Sequence, residues 1–130
     1  MMPFNPEAPI GMIDARDSAA VCARALTGSD CDEALLELTG ALVTLNDCAA
    51  ALSKHLGADI PFVRAPLEMA QKMAMDNGAP DWAAEHIGNI VKDIDDGTMS
   101  RDTGTVAEIL GRPARDIAGF FGDHVALFRA

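Results

Sequence analysis

A short polar segment near the N-terminus holds residues that could transfer protons and bind a polar substrate group. Asp14, Arg16 and Asp17 follow the mostly apolar segment Pro9 to Asp14, which predicts a short strand. Side chains at a strand-to-helix junction can face a crevice at the carboxyl end of the strand. We therefore predict Asp14 and Asp17 as proton-transfer residues and Arg16 as a substrate-binding residue. The alternative is that these side chains only cap the helix and form a salt-bridge cluster.

A second group of candidate residues lies further along the chain. Met69 and Met73 are four residues apart, as are Trp82 and His86, and a Gly-Ala-Pro turn separates the two pairs. Residues four apart lie on one face of a helix. This spacing predicts an apolar substrate cleft between two helices, with Met69, Met73 and Trp82 as its walls and His86 as a titratable catalytic group. The alternative is that the four side chains only pack the two helices together.

The elements that position these residues follow from caps, apolar periodicity and stop signals. Short apolar runs predict strands at Pro9–Asp14, Ala34–Leu38 and Ile60–Ala65. Caps, apolar spacing and terminal glycines predict helices, which run over 14–28, 44–57, 66–77, 80–97, 103–111 and 116–128. Strands mixed with helices, followed by helices only, predict an α/β or α+β fold with few short strands and a helical C-terminal cap. The chain is expected to form one domain over residues 1–130.

Composition excludes several classes of function. The 130 residues carry 20 acids against 10 bases, a net charge of −10, which repels phosphate backbones and anionic lipids. We therefore predict no nucleic-acid partner and no membrane partner. The chain has no tyrosine, so no catalytic phenol is available. The spacing of Cys22, Cys31 and Cys48 fits neither a disulfide framework nor a zinc site, which indicates a reducing, cytoplasmic environment.

Glycine and histidine spacing bears on cofactors. No glycine stands two residues from another, so neither a dinucleotide-binding G-x-G-x-x-G fingerprint nor a P-loop is present. The three histidines are far apart in sequence and do not pair with cysteines at metal-ligand spacing. The sequence predicts no NAD(P), no metal and no other cofactor.

Several segments, in order along the chain, resemble the NmrA-like atypical short-chain dehydrogenase/reductases. Met12 to Val21 resembles their (I/V)-D-V-R-D-I-A segment, and Glu37 to Gly40 resembles Y-E-L-T-G-P, with Leu36 and Ala41 in place of the tyrosine and the last proline. The other matching segments are Ala50 to Gly57 with Ile60 to Val63, Gly78 to Trp82, and Leu110 to Arg115 with Phe120 and His124. The last of these resembles T-G-R-P-P-R-T-F-x-x-F-x-x-x-H.

The resemblance implies the C-terminal, substrate-binding half of that family without its Rossmann half, which carries the cofactor loop. The opening Met1-Met2 fits a free-standing truncated homologue. Without the other half, strand edges around Gly11–Asp14 and Leu35–Leu38 would be exposed. We therefore expect a homo-oligomer, most simply a dimer.

The sequence is compatible with three functions. The first is a cofactor-independent protein that binds a small apolar molecule and, if catalytic, performs a cyclisation, isomerisation or elimination. The second is a non-enzymatic, ligand-sensing regulator. The third is one half of a split reductase that a separate Rossmann-domain partner completes.

Overall fold

The computed structural model describes residues 2–28 and 35–129. In chain order the elements are β1 (Ile10–Gly11), α1 (Ala15–Thr27), β2 (Leu42–Val43), α2 (Leu45–Leu56), α3 (Leu67–Asp76), α4 (Asp81–Asp95), α5 (Thr105–Leu110), α6 (Ile117–His124) and a final 3-10 turn (Val125–Phe128). The fold is mostly helical with one small sheet, which confirms the predicted fold class. Over these residues, no helix combines the length and the apolar character needed to cross a bilayer.

Three of the helices, α1, α2 and α6, begin where a polar side chain accepts one of their first N–H groups. Asp14 accepts from the Arg16 N–H at 2.8 Å, and Asp116 accepts from the Gly119 N–H at 2.7 Å. Thr44 and Asp47 form a reciprocal capping box at the start of α2. Such side chains satisfy backbone donors that the helix itself leaves unpaired. Local sequence therefore determines where α1, α2 and α6 start.

The sheet is smaller than the sequence predicts. β1 pairs antiparallel with β2, with Ile10 opposite Val43. The strand predicted over Ala34–Leu38 is wrong in its described part, residues 35–38, which hold no ladder pairing. Thr103 instead fixes this segment by two hydrogen bonds. Its hydroxyl donates to the Glu37 carbonyl at 2.9 Å, and its N–H donates to the Thr39 hydroxyl at 2.8 Å. Cys31 and Ala34 lie outside the described residues.

The edge strand predicted over Ile60–Ala65 shortens to one parallel bridge between Met2 and Arg64. The Ala65 N–H donates to the Met2 carbonyl at 2.8 Å. The described residues of this segment therefore form a single bridge and not a strand.

The packing joins the helices in pairs, α1 with α5, α2 with α6, and α3 with α4. Val21 of α1 and Val106 of α5 are 2% and 1% exposed, so each of these packed helices contributes a well-buried residue to the core. Gly40 lies so close to the strand-to-helix junction that a Cβ there would meet the Met12 carbonyl oxygen. Because Gly40 has no side chain, the segment before β2 can lie directly against the start of α1.

Candidate functional site

A cavity of about 320 Å³ lies where the starts of α1 and α6 meet the segment around β2. Most of its wall is apolar, formed by Met12, Ile13, Ala15, Ala41, Val43, Ile117 and Phe120. Three charged residues complete it: Asp14, Arg115 and Asp116. An apolar cavity with a few convergent polar groups is typical of small-molecule sites.

Asp14 is held by the neighbouring arginine. Its carboxylate accepts from Arg16 Nε at 3.0 Å and from Arg16 Nη2 at 2.6 Å, besides capping α1. The side-chain hydrogen bond from Arg16 lowers the pKa of Asp14 from 3.8 to about 2. Arg16 Nη1 also donates to Asp123 of α6 at 2.6 Å, so one guanidinium joins the two helices beside the cavity. Asp14 is therefore ionised and engaged at neutral pH.

Asp17 lies behind the cavity wall and its side chain is fully buried. It accepts from Arg112 Nη2 at 2.6 Å, from the Arg115 backbone N–H at 2.7 Å and from Arg115 Nη1. Burial raises the pKa of Asp17, but the hydrogen bonds from Arg112 and Arg115 outweigh that effect and bring the pKa below its ordinary value. Asp17 thus ties α1 to the segment that leads into α6.

The hydrogen bond to Asp17 fixes the side chain of Arg115, which lines the cavity. Arg115 gives one Nη1 hydrogen to Asp17 while its side chain stays 39% exposed. An arginine has five N–H donors in a rigid fork, so Arg115 retains donors for an acceptor atom on a ligand. The apolar wall would contact the ligand's rings, and Arg115 would hold a carbonyl or similar group.

The structure brings together only some of the predicted site residues. Asp14 lines the cavity, and Arg16 and Asp17 lie next to it as supports. Sequence reasoning quoted Arg115 and Phe120 only as part of a motif and missed them as site residues. The signal that could have found them is the Arg-Pro-Ala-Arg run directly before the capping Asp116.

The second predicted group lies elsewhere, on α3 and α4. Met69, Met73 and Trp82 are 45%, 54% and 68% exposed, and His86 is exposed as well. None of these four residues lines the cavities described here. Their assignment to a substrate site stays a prediction that ligand mapping must test.

Comparison with known proteins identifies related chains. No family model matches. The chain is 32% identical to an NAD(P)H azoreductase of Xenophilus azovorans over 130 residues, covering 99% of this chain and 45% of that protein. It is 28% identical to a (4-alkanoyl-5-oxo-2,5-dihydrofuran-3-yl)methyl phosphate reductase of Streptomyces griseus, covering 94% of this chain and 43% of that protein.

A solved structure shows the same fold. The NADPH-dependent quinone oxidoreductase QOR2 of Escherichia coli, in complex with NADPH, superposes with a TM-score of 0.80 at 21% identity, over 97% of this chain and 44% of that one. The chain thus spans slightly less than half the length of the proteins it matches. Its relatives in sequence are reductases, and its fold is that of part of a reductase chain.

Proposed function

We propose that this chain binds a small, flat, largely apolar molecule carrying a carbonyl or similar acceptor, as the substrate-binding part of a reductase-type fold. The observation that carries this proposal is the 320 Å³ cavity, whose wall is apolar apart from Asp14, Arg115 and Asp116. Binding sites for small molecules start at about 300 Å³, which suits a one- or two-ring ligand.

The charges around the cavity favour a neutral ligand. Asp14 is neutralised by Arg16, and Asp17 is shared between Arg112 and Arg115. The surroundings therefore present neither a strong anion site nor a strong cation site, while Arg115 supplies N–H donors. The names of the relatives, an azoreductase, an oxo-dihydrofuran phosphate reductase and a quinone oxidoreductase, describe unsaturated organic substrates, which agrees with an apolar ligand. The phosphate in the second name is a charged group, which the choice of a neutral ligand does not include.

The hydrogen bonds of the two aspartates bear on catalysis. Asp14 and Asp17 are engaged by arginines, so proton transfer by either would require that arginine to move away. Binding is therefore the function that the geometry favours, and a cofactor-free isomerase or cyclase is its catalytic extension.

The described residues also do not fit a dinucleotide. A diphosphate binds at a helix N-terminus free of negative charge. Each described α-helix instead carries an acid at its N-cap or in its first turn, and these acids are Asp14, Asp47, Glu68, Asp81, Glu108 and Asp116. This distribution supports the proposal that the isolated chain works without NAD(P).

Calorimetric titration with 2-methyl-1,4-naphthoquinone tests the proposed binding. Ala41→Trp places a large ring in the cavity from an exposed position, and we expect it to weaken binding at least about tenfold, or about 1.4 kcal/mol. Met75→Ala removes an exposed side chain from α3 and serves as the control. No binding by the wild type, or equal binding by both variants, would refute the proposal.

The second candidate is one half of a split reductase, which the NAD(P)H azoreductase among the relatives favours. In this version a separate Rossmann-domain chain supplies the nicotinamide site. Addition of such a chain should create NADPH-dependent reduction of the quinone, and NADPH binding by the isolated chain would contradict it.

Self-association is a further part of the proposal. The β1 edge is already occupied, because the Gly11 N–H donates to the Met99 carbonyl at 3.0 Å and β2 covers the other side. Leu35 is fully exposed, so residues 35–38 are the better candidate for contact with a second copy. Light scattering at low micromolar concentration should give a mass above the 13.7 kDa of one chain.

A further inference from the structure

A second apolar cavity of about 420 Å³ lies between α2, the segment 60–63 and the C-terminal turn. Its lining consists entirely of apolar residues and one cysteine: Met2, Leu45, Cys48, Ala49, Leu52, Ile60, Pro61, Phe62, Val63, Phe121 and Phe128. We name it the tail groove. Because no charged side chain lines it, it suits hydrocarbon and disfavours a polar head group.

The tail groove and the first cavity share a thin wall. Met12 lines the first cavity and Cys48 lines the tail groove, and their sulfur atoms are 3.9 Å apart. Phe120 and Phe121 likewise face the two cavities from adjacent positions on α6, with ring centroids 5.5 Å apart. Methionine has three rotatable side-chain bonds, so Met12 is the movable part of this wall.

We infer that Met12 is a gate between the two cavities, and that the ligand carries an unbranched apolar tail that passes it into the tail groove. This inference rests on the proposed function, since the head of the ligand occupies the first cavity beside Arg115. The thin wall shared with that cavity is what selects a ligand tail, rather than a second protein chain, as the occupant. Met12 then sets how long a tail the protein accepts.

Chain length gives the first test. We expect 2-hexyl-1,4-naphthoquinone to bind more tightly than the 2-methyl compound, by about fourfold for each methylene that reaches the groove, the equivalent of about 0.8 kcal/mol. Ala49→Phe fills the groove from α2 and should bring the hexyl-to-methyl affinity ratio close to one. Met75→Ala, on α3 outside both cavities, should keep the wild-type ratio.

Cysteine labelling gives the second test. This test uses analogues with a methyl group also at C3, which prevents addition of a thiol to the quinone ring. The hexyl compound at saturation should slow alkylation of Cys48 by N-ethylmaleimide, and the methyl compound should not. Cys22 is exposed on α1 and lines neither cavity, so its labelling in the same sample is the control. Peptide mass spectrometry separates the two sites.

The possible results distinguish failure of the tail groove from failure of the proposed function. Binding of the methyl compound with no gain from the hexyl chain and no protection of Cys48 overturns the tail groove and leaves the proposed function in place. Failure of the methyl compound to bind refutes the proposed function, and the gate with it. Protection of Cys48 by raised protein concentration alone would show that a second copy of the chain covers the groove, which also overturns the inference.

Discussion

Asp17 is a fully buried carboxylate that joins α1 to the segment before α6, and its replacement by asparagine should destabilise the whole protein. Asp17→Asn preserves the shape of the side chain but removes the charge that Arg112 and Arg115 neutralise. An amide can still accept from the Arg115 backbone N–H. The amide NH2 then faces the guanidinium donors, so the substitution removes both the charge and the side-chain hydrogen bonds from Arg112 and Arg115.

The expected loss of stability follows from the burial of the Asp17 carboxylate and the partial exposure of its two arginine partners. Removal of one partner from a buried ion pair typically costs about 3–5 kcal/mol. Here the arginines are 38% and 39% exposed, so water can solvate them when the carboxylate is gone. We therefore expect the free energy of unfolding to fall by about 2–3 kcal/mol, which lowers Tm by roughly 10 °C for a chain of this size.

Urea denaturation followed by far-UV circular dichroism measures this loss. Asp59→Asn removes a charge from an exposed turn and is the matched control. A double-mutant cycle with Arg112→Met should show a coupling energy above about 0.5 kcal/mol between positions 17 and 112. The argument fails if Asp17→Asn costs no more than Asp59→Asn, or if the cycle shows no coupling.

Further predictions concern acid stability, capping and close packing. The pKa values of Asp14 and Asp17 are lowered in the fold, to about 2 for Asp14. The stability that these two carboxylates contribute should therefore be complete above about pH 4 and lost toward pH 2. A free energy of unfolding that stays constant down to pH 2 would contradict this. Thr44→Ala removes the cap of α2 and should cost about 1 kcal/mol in urea denaturation, whereas an unchanged midpoint would argue against the capping box. Gly40→Ala places a Cβ against the Met12 carbonyl oxygen and should cost about 3 kcal/mol. Gly88→Ala in α4, where the added Cβ would meet only ordinary contacts with Gln71 and Leu67 of α3, should instead raise Tm slightly. The same thermal scan tests both glycines, and equal effects would refute the comparison.

The helices were predictable because their signals are local. Asp14, Thr44 and Asp116 each cap a helix that begins at the next residue, so a few neighbouring positions contain the information. The strand predicted at 34–38 failed because a short apolar run does not specify a pairing partner. The described part of this segment instead accepts a hydrogen bond from Thr103, which lies 66 positions after Glu37.

The candidate site was predictable only in part, for the same reason. Asp14 and Asp17 stood out as closely spaced polar residues, but their partners include Arg112 and Arg115, 95 and 98 positions after Asp17. Helical spacing correctly placed Met69 with Met73 on α3, yet spacing does not reveal whether another element covers that face. The cavity arises from contacts between distant segments, which periodicity along one helix does not contain.

The most direct test of the central claim is to map where a small ligand binds. Two-dimensional amide NMR spectra of the uniformly ¹⁵N-labelled chain, titrated with 2-methyl-1,4-naphthoquinone, locate the site residue by residue. We predict that the amide signals of Ile13, Ala41 and Phe120 shift in a saturable way, while those of Met73 and His86 on α3 and α4 do not. Saturable shifts confined to α3 and α4 would place the site between those helices and contradict the account.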